Sequence, residues 1–386
     1  MLICSIQEEN EVMAFGDRIL AQARLSSLHL EGLAASELKQ RIQDYLPPSF
    51  GARQMMEAYA AYALSGKVSN ADYMGFRETF TETRSMSHQV FSRVLAKHIP
   101  KEKYPLANTM FDVDDADEII RGAVRSLQVK GMWKARFTVP ADKIEALKAQ
   151  SMTRFKDKHG DMIAAMLSGA EGCQPQVKSS YGWVTTFEEM YEISADPLLL
   201  NIIQQYIGVP PIFDTPVVFL NSAAPVNTKG LSDTAQLYHH DLHRLQFVKL
   251  FIYLTDVDAD SGPHAMIPGT HRVRPDAMWA DGRRTDEAVK ASGLLDDEVR
   301  ITGKAGTLFL VDTSALHKGV HPNSNARLLA QVQYSNSLFG KPIPSSTRIL
   351  TQARGELRDD ADTRAAAALV KRYAEKVGVR FMQGMI

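Results

Sequence analysis

Residues 236–241 read QLYHHD. Extended by two, they end the run LYHHDLH (237–243), in which four of seven residues are His or Asp although the chain has only eleven histidines. Aromatic and branched residues mixed with polar ones give this segment the look of a strand. Successive strand side chains point to opposite faces, so His239 and Asp241 share a face and His240 points the other way. An imidazole and a carboxylate two apart then form two adjacent corners of a metal site.

The third corner must come from elsewhere in the chain. His317, in FLVDTSALHKGVHPNSNAR (309–327), follows a strongly apolar strand and precedes a turn-rich loop. His321 competes for the role from inside that loop, beside Pro322. Two imidazoles and one carboxylate leave three positions of an octahedral ion open, the arrangement non-haem Fe(II) oxygenases use. Ten residues past His317, Arg327 opens the strand RLLAQVQYS (327–335). In a hairpin it returns to the same cavity, where its planar fork can clamp a carboxylate.

Around these residues the chain changes character. Residues 10–130 are mostly helical in pattern: Asp17–Leu46 up to Pro47-Pro48, Ala52–Leu64, and Tyr73–Ile99 closing at Pro100. DDADEIIRGAVRSLQVKG (114–131) has an acidic first turn and a glycine stop, and PADKIEALKAQSMTRF (140–155) starts at a proline. After about residue 180 the period moves towards two, in PVVFLNSA (216–223), QFVKLFIYLTDV (246–257) and GTLFLVD (306–312). One helix, PLLLNIIQQYIG (197–208), interrupts the strands. Short strands between Gly, Pro and Asn turns favour an antiparallel sandwich or barrel over βαβ units. The charged insert 275–300 is expected to lie on the surface over one barrel mouth, and 359–377 to form a C-terminal helix.

Composition excludes several classes. A formal net charge of −1 over 386 residues gives no footprint for nucleic acid or an anionic membrane. Two cysteines, Cys4 and Cys173, match no zinc or redox spacing, which is expected of a reduced, cytoplasmic protein. The start MLICSIQEENEVMAF lacks a basic segment followed by a long apolar run, so no secretory signal is expected. No HExxH helix accompanies the histidines, which disfavours a zinc hydrolase.

The ordered set HHD (239–241), SGPHAMIPGTH (261–271) and LHKGVHPNSNAR (316–327) resembles the phytanoyl-CoA dioxygenase-like family of Fe(II)/2-oxoglutarate-dependent oxygenases. The likeness extends back through IIRGAVRSLQVKGMWKARFTVPADKIEALK (119–148) and covers roughly residues 115–340. It implies a mainly β double-stranded β-helix, a cupin-like jelly roll, at residues 113–345. A helical N-terminal region (1–112) would precede it, as a cap over the barrel mouth or a homodimer contact, and a helical tail (346–386) would follow. It further implies Fe(II) on His239, Asp241 and His317, with 2-oxoglutarate and O₂ as cosubstrates and Arg327 on the distal carboxylate of 2-oxoglutarate. Family members that halogenate lack the carboxylate, so Asp241 points to hydroxylation or another halide-free oxidation, with release of succinate and CO₂. Pro268 and Gly269 would shape a turn away from the metal.

One position departs from the pattern. Many relatives carry a hydroxyl residue two after the distal His; here it is Gly319. Gln236, Lys249 and Thr255 are candidates to assist with 2-oxoglutarate instead. Alternation along 327–335 places Gln331 and Gln333 on the face of Arg327, so both line the cavity, with Tyr253 as a further wall or core residue. Two amides suit a polar small molecule, such as an amino acid, a peptide-like compound or a natural-product intermediate. His264 and His271 are expected to be scaffold or rim residues, and His243 no ligand. Two other classes remain open: a cupin-like metalloenzyme that does not use 2-oxoglutarate, and a catalytically silent binding protein on the same fold.

Overall fold

Among the described residues ten strands carry the architecture: Met132–Thr138 (β1), Gln176–Lys178 (β2), Ile212–Asn221 (β3), Phe247–Tyr253 (β4), His264–Met266 (β5), Val299–Ile301 (β6), Thr307–Val311 (β7), His317–Gly319 (β8), Arg327–Ser335 (β9) and Arg380–Phe381 (β10). They come from a computed structural model in which residues 29–40, 50–179, 187–342, 372 and 380–381 are described. The larger sheet runs β1-β7-β4-β9-β3-β10, with β2 also on β3, and all its pairings are antiparallel except β10 on β3. The smaller sheet runs β6-β5-β8, and isolated bridges extend it from His317 to His239 and from Tyr238 to Arg284. The two sheets face each other as a double-stranded β-helix.

Both faces of the larger sheet are buried, which explains why β4 and β9 are buried at every position. On β4, Val248, Leu250 and Ile252 join the core shared with the helices, while Phe251 and Tyr253 join an inner core with Met266, Phe309, Val311 and Leu329 between the sheets. Alternating side chains on one strand thus fill two compartments. The helical core is continuous from Ala34 to Phe339, so the N-terminal helices are packed onto the sheet. Among the described residues no helix is long and apolar enough to cross a membrane.

Several elements follow the sequence closely. The helix Ala116–Lys130 is capped by Asp115, whose side chain accepts from the Glu118 N–H, and it ends at Gly131 in the left-handed region (φ 76°). The helix Pro197–Ile207 has Asp196 as its cap, accepting from the Leu198 N–H, and ends at left-handed Gly208.

Others differ. Tyr73–Ile99 is not one helix but two, Asn70–Glu82 and Met86–His98. Arg84 and Ser85 both adopt positive φ, and Thr83 Oγ1 accepts from the Ser87 N–H, so local hydroxyl chemistry reverses the chain despite a helical apolar period. The reversal packs His88 against Phe76 and Phe80. QLYHHD forms two isolated bridges rather than a regular strand. The insert 275–300 is only partly a surface excursion: Met278, Trp279 and Val289 are buried, and Arg274 lies over the Trp279 ring at 4.0 Å. Of the expected helix Asp17–Leu46, residues 29–40 are helical and the rest falls outside the described residues, as does the 359–377 helix apart from Arg372.

Candidate metal centre

His239 and His317 meet through a two-way backbone bridge, His239 N–H to His317 O at 3.0 Å and His317 N–H to His239 O at 2.9 Å. The turn before His317 is tied by Asp312, whose Oδ1 accepts from the backbone N–H and hydroxyl of Ser314 at 2.9 and 2.6 Å. The Asp241 N–H donates to Thr313 O in that same turn at 2.7 Å. Two segments more than seventy residues apart are thereby locked side by side.

Each imidazole is held in one tautomer. His239 Nδ1 donates to Leu237 O at 2.9 Å and His317 Nδ1 to Ala315 O at 3.0 Å; a carbonyl can only accept. Both Nε2 atoms are therefore bare acceptors, and they lie 3.8 and 3.5 Å from the oxygens of Asp241. Ligand atoms of all three residues fall within 4.8 Å of one another. Burial pushes both imidazoles below their ordinary pKa, and the neighbouring His317 adds to the effect on His239. Burial would raise Asp241, but the Lys249 ammonium beside it more than offsets this and holds the carboxylate ionised. Two neutral imidazole lone pairs and a carboxylate converge with no donor of their own between them. They suit a divalent cation. Lys249 Nζ donates to Asp241 Oδ2 at 2.7 Å, the oxygen that His317 Nε2 also faces.

A cavity of about 260 Å³ opens from this cluster between the two sheets. Arg327 lines it from β9, 3% exposed, with Nη2 donating to Asn221 Oδ1 at 3.1 Å and Nη1 to Gly262 O. Its Nε has no partner, and no carboxylate pairs with it among the described residues. Burial lowers its pKa from the ordinary arginine value. A buried guanidinium with only neutral acceptors is a seat for an anion. Gly319 gives it room: a Cβ there would lie 3.3 Å from Arg327 Nη2.

The other expected residues divide. Lys249, Gln331 and Gln333 line the cavity; Gln236, Thr255 and Tyr253 do not. Gln236 Oε1 instead takes the Nδ1–H of His321 at 2.8 Å, Thr255 Oγ1 accepts from the Leu328 N–H, and the Tyr253 hydroxyl donates to Ile301 O. His240 points away from the cluster and stacks on Phe80. His264, expected to be a scaffold or rim residue, is buried in the cavity wall with its ring 5.5 Å from that of His317.

His243 is also a wall residue, held by a chain of hydrogen bonds. Asp214 Oδ2 accepts from Arg244 Nε at 2.9 Å and Gln333 Nε2 at 2.7 Å, so Gln333 must offer its carbonyl oxygen to His243 Nδ1 at 2.9 Å. That leaves His243 Nε2 as an acceptor facing Asp241 Oδ1 at 3.8 Å. Asn221, Arg283, Lys178 and Lys341 also line the cavity and are among the residues the sequence did not single out. Asn221 pairs with Arg327 only through the β3–β9 register; Arg283 belongs to the insert read as a solvated excursion.

No curated protein matches the chain. Among solved structures it aligns with the non-heme alpha ketoglutarate dependent carbocyclase SnoK from nogalamycin biosynthesis (16% identity, TM-score 0.43, 58% of this chain and 87% of that one). It also aligns with HygX from Streptomyces hygroscopicus with nickel and 2-oxoglutarate bound (11%, 0.41, 57% and 88%). A third is EctD from S. alaskensis with bound Fe (16%, 0.39, 61% and 83%). A family model described as phytanoyl-CoA dioxygenase (PhyH) matches residues 130–328, more than half the chain and a span holding the HHD motif, His317 and Arg327. The chain therefore belongs to the phytanoyl-CoA dioxygenase family of Fe(II)/2-oxoglutarate-dependent oxygenases.

Proposed function

We propose that this protein hydroxylates a polar small molecule, with His239, Asp241 and His317 holding Fe(II) and Arg327 holding the distal carboxylate of 2-oxoglutarate. The observation that carries the reading is Arg327, a buried guanidinium without a carboxylate partner that lines the same cavity as the His-Asp-His cluster. A metalloenzyme of another type would need no such anchor. When bound, Fe(II) with 2-oxoglutarate supplies oxidative decarboxylation of the cosubstrate to succinate and CO₂ at the expense of O₂. The chain itself supplies geometry. Leu237 O and Ala315 O fix the imidazole tautomers, and Lys249 keeps Asp241 ionised. Asn221 and Gly262 aim the guanidinium. Gln331 and His243 present polar atoms to a ligand on the remaining wall.

The helix Asn70–Glu82 acts in this reading as a support for the site. Phe80 backs His240, and Arg77 pairs with Asp281 in the insert that carries Arg283. The test is succinate release by purified protein with Fe(II), 2-oxoglutarate and O₂. The reading expects turnover that needs all three and rises with the right substrate. Iron binding without any 2-oxoglutarate consumption would favour the metalloenzyme or silent-binder alternatives.

A further inference from the structure

We infer that the primary substrate is an anion, a small molecule bearing a carboxylate or phosphate group, held at the cavity wall by Arg283, Lys341 and Lys178. The inference rests on the reading above that Arg327 takes 2-oxoglutarate.

The charges around the cavity are lopsided. Among the described residues six cationic side chains line it, namely Lys178, Arg244, Lys249, Arg283, Arg327 and Lys341, against one carboxylate, Asp241. Two of the six are already matched: Lys249 with Asp241 at 2.7 Å and Arg244 with Asp214 at 2.9 Å. Arg327 is reserved for the cosubstrate. For the other three, no carboxylate lies within 4.0 Å among the described residues.

Their placement makes the excess meaningful. Arg283 and Lys341 come from separate segments, yet both sense the charge of Asp241. Arg283, Lys341 and Lys178 are exposed residues of the cavity lining; partial burial pushes Arg283 and Lys341 below their ordinary pKa. Lys341 is brought in by its backbone N–H donating to His243 O at 2.8 Å, and Arg283 by the Tyr238–Arg284 bridge beside it. A ferrous ion adds two positive charges and 2-oxoglutarate removes two, so loading the site leaves the imbalance as it was. Like charges gathered along one cleft raise the local concentration of counter-charged ligands, which favours an anionic substrate over a neutral or cationic one.

The test uses protein loaded with Fe(II) and saturating 2-oxoglutarate, without oxygen, titrated calorimetrically with sulfate as a probe. One sulfate is expected per chain, with affinity falling about tenfold or more in Arg283→Gln/Lys341→Gln, the loss of two charge-assisted contacts. The double variant should keep its iron and its 2-oxoglutarate affinity, which also shows that it folds. Acetate and inorganic phosphate, titrated in turn, name the class: tighter binding of either supports the site and identifies its anion. Sulfate binding that is absent in the wild type, or equal in the double variant, overturns the inference. Loss of iron or 2-oxoglutarate from the wild type is a separate failure, that of the oxygenase reading itself.

Discussion

His239 and His317 face each other across a single antiparallel bridge, with ring centroids 4.3 Å apart and both Nδ1–H groups tied to carbonyls two residues upstream. The same local device, an imidazole donating to the carbonyl at position i−2, appears on both sides of the bridge. It turns two chain-distant histidines into a matched pair of acceptors.

His317 and His321 are separable by this arrangement. His317 Nε2 faces Asp241, whereas the Nδ1 of His321 is committed to Gln236. His317→Ala is expected to lose stoichiometric iron, and His321→Ala to retain it, read by metal analysis after gel filtration. Iron lost from His321→Ala alone would reverse the assignment.

Removing the anchor should separate cosubstrate from metal. Arg327→Ala is expected to weaken 2-oxoglutarate by about 2–4 kcal/mol, roughly 30- to 700-fold, for a truncated buried charge pair. Iron binding should be unchanged. A 2-oxoglutarate KM within a few-fold of wild type would move the anchor elsewhere.

Gly262 supports that anchor through its carbonyl. Its φ is 72°, and a Cβ there would lie 2.6 Å from Val320 O and 2.8 Å from Pro322. Gly262→Ala should cost about 1–3 kcal/mol of stability, from backbone strain and a clash with rigid neighbours. It should also raise the 2-oxoglutarate KM, because the acceptor of Arg327 Nη1 moves. Unchanged urea unfolding would refute the strain argument.

His88 gives a pH signature far from the metal. Burial among aromatic rings pushes it down to about 3, so the folded chain leaves it neutral while the unfolded chain protonates it below about pH 6.5. Above that pH neither state takes up the proton. As pH falls from about 6.5 towards 3 the unfolded state binds more protons, and stability drops by about 1.4 kcal/mol per pH unit from this group. His88→Leu should flatten the dependence by that amount, measured by urea unfolding of metal-free protein at pH 6 and pH 5. An unaltered slope would place the acid sensitivity elsewhere.

Much of the fold was legible where strands are buried on both faces. RLLAQVQYS is a strand with the bounds its sequence gives, and GTLFLVD and QFVKLFIYLTDV enclose theirs. QLYHHD was harder, because its partners are the three-residue strand at His317 and the insert at Arg284. Alternation still put His239 and Asp241 on one side and His240 on the other. The helix break at Arg84-Ser85 escaped because apolar spacing continues through it; only hydroxyl and left-handed backbone chemistry mark the reversal. Asn221 and Lys341 could not be found, since each reaches the cavity through pairing between segments remote in sequence. For Arg283, the adjacent pair Arg283-Arg284, in an insert expected over the barrel mouth, was the available signal.

The most direct measurement is an anaerobic titration of metal-free protein with Fe(II) in the presence of 2-oxoglutarate, followed by the visible charge-transfer absorption of a ferrous ion chelated by a 2-oxo acid. The account predicts one such chromophore per chain in the wild type, none in Asp241→Ala or His317→Ala, and recovery in Arg327→Ala only at much higher 2-oxoglutarate. Full chromophore formation in Asp241→Ala and His317→Ala would contradict it.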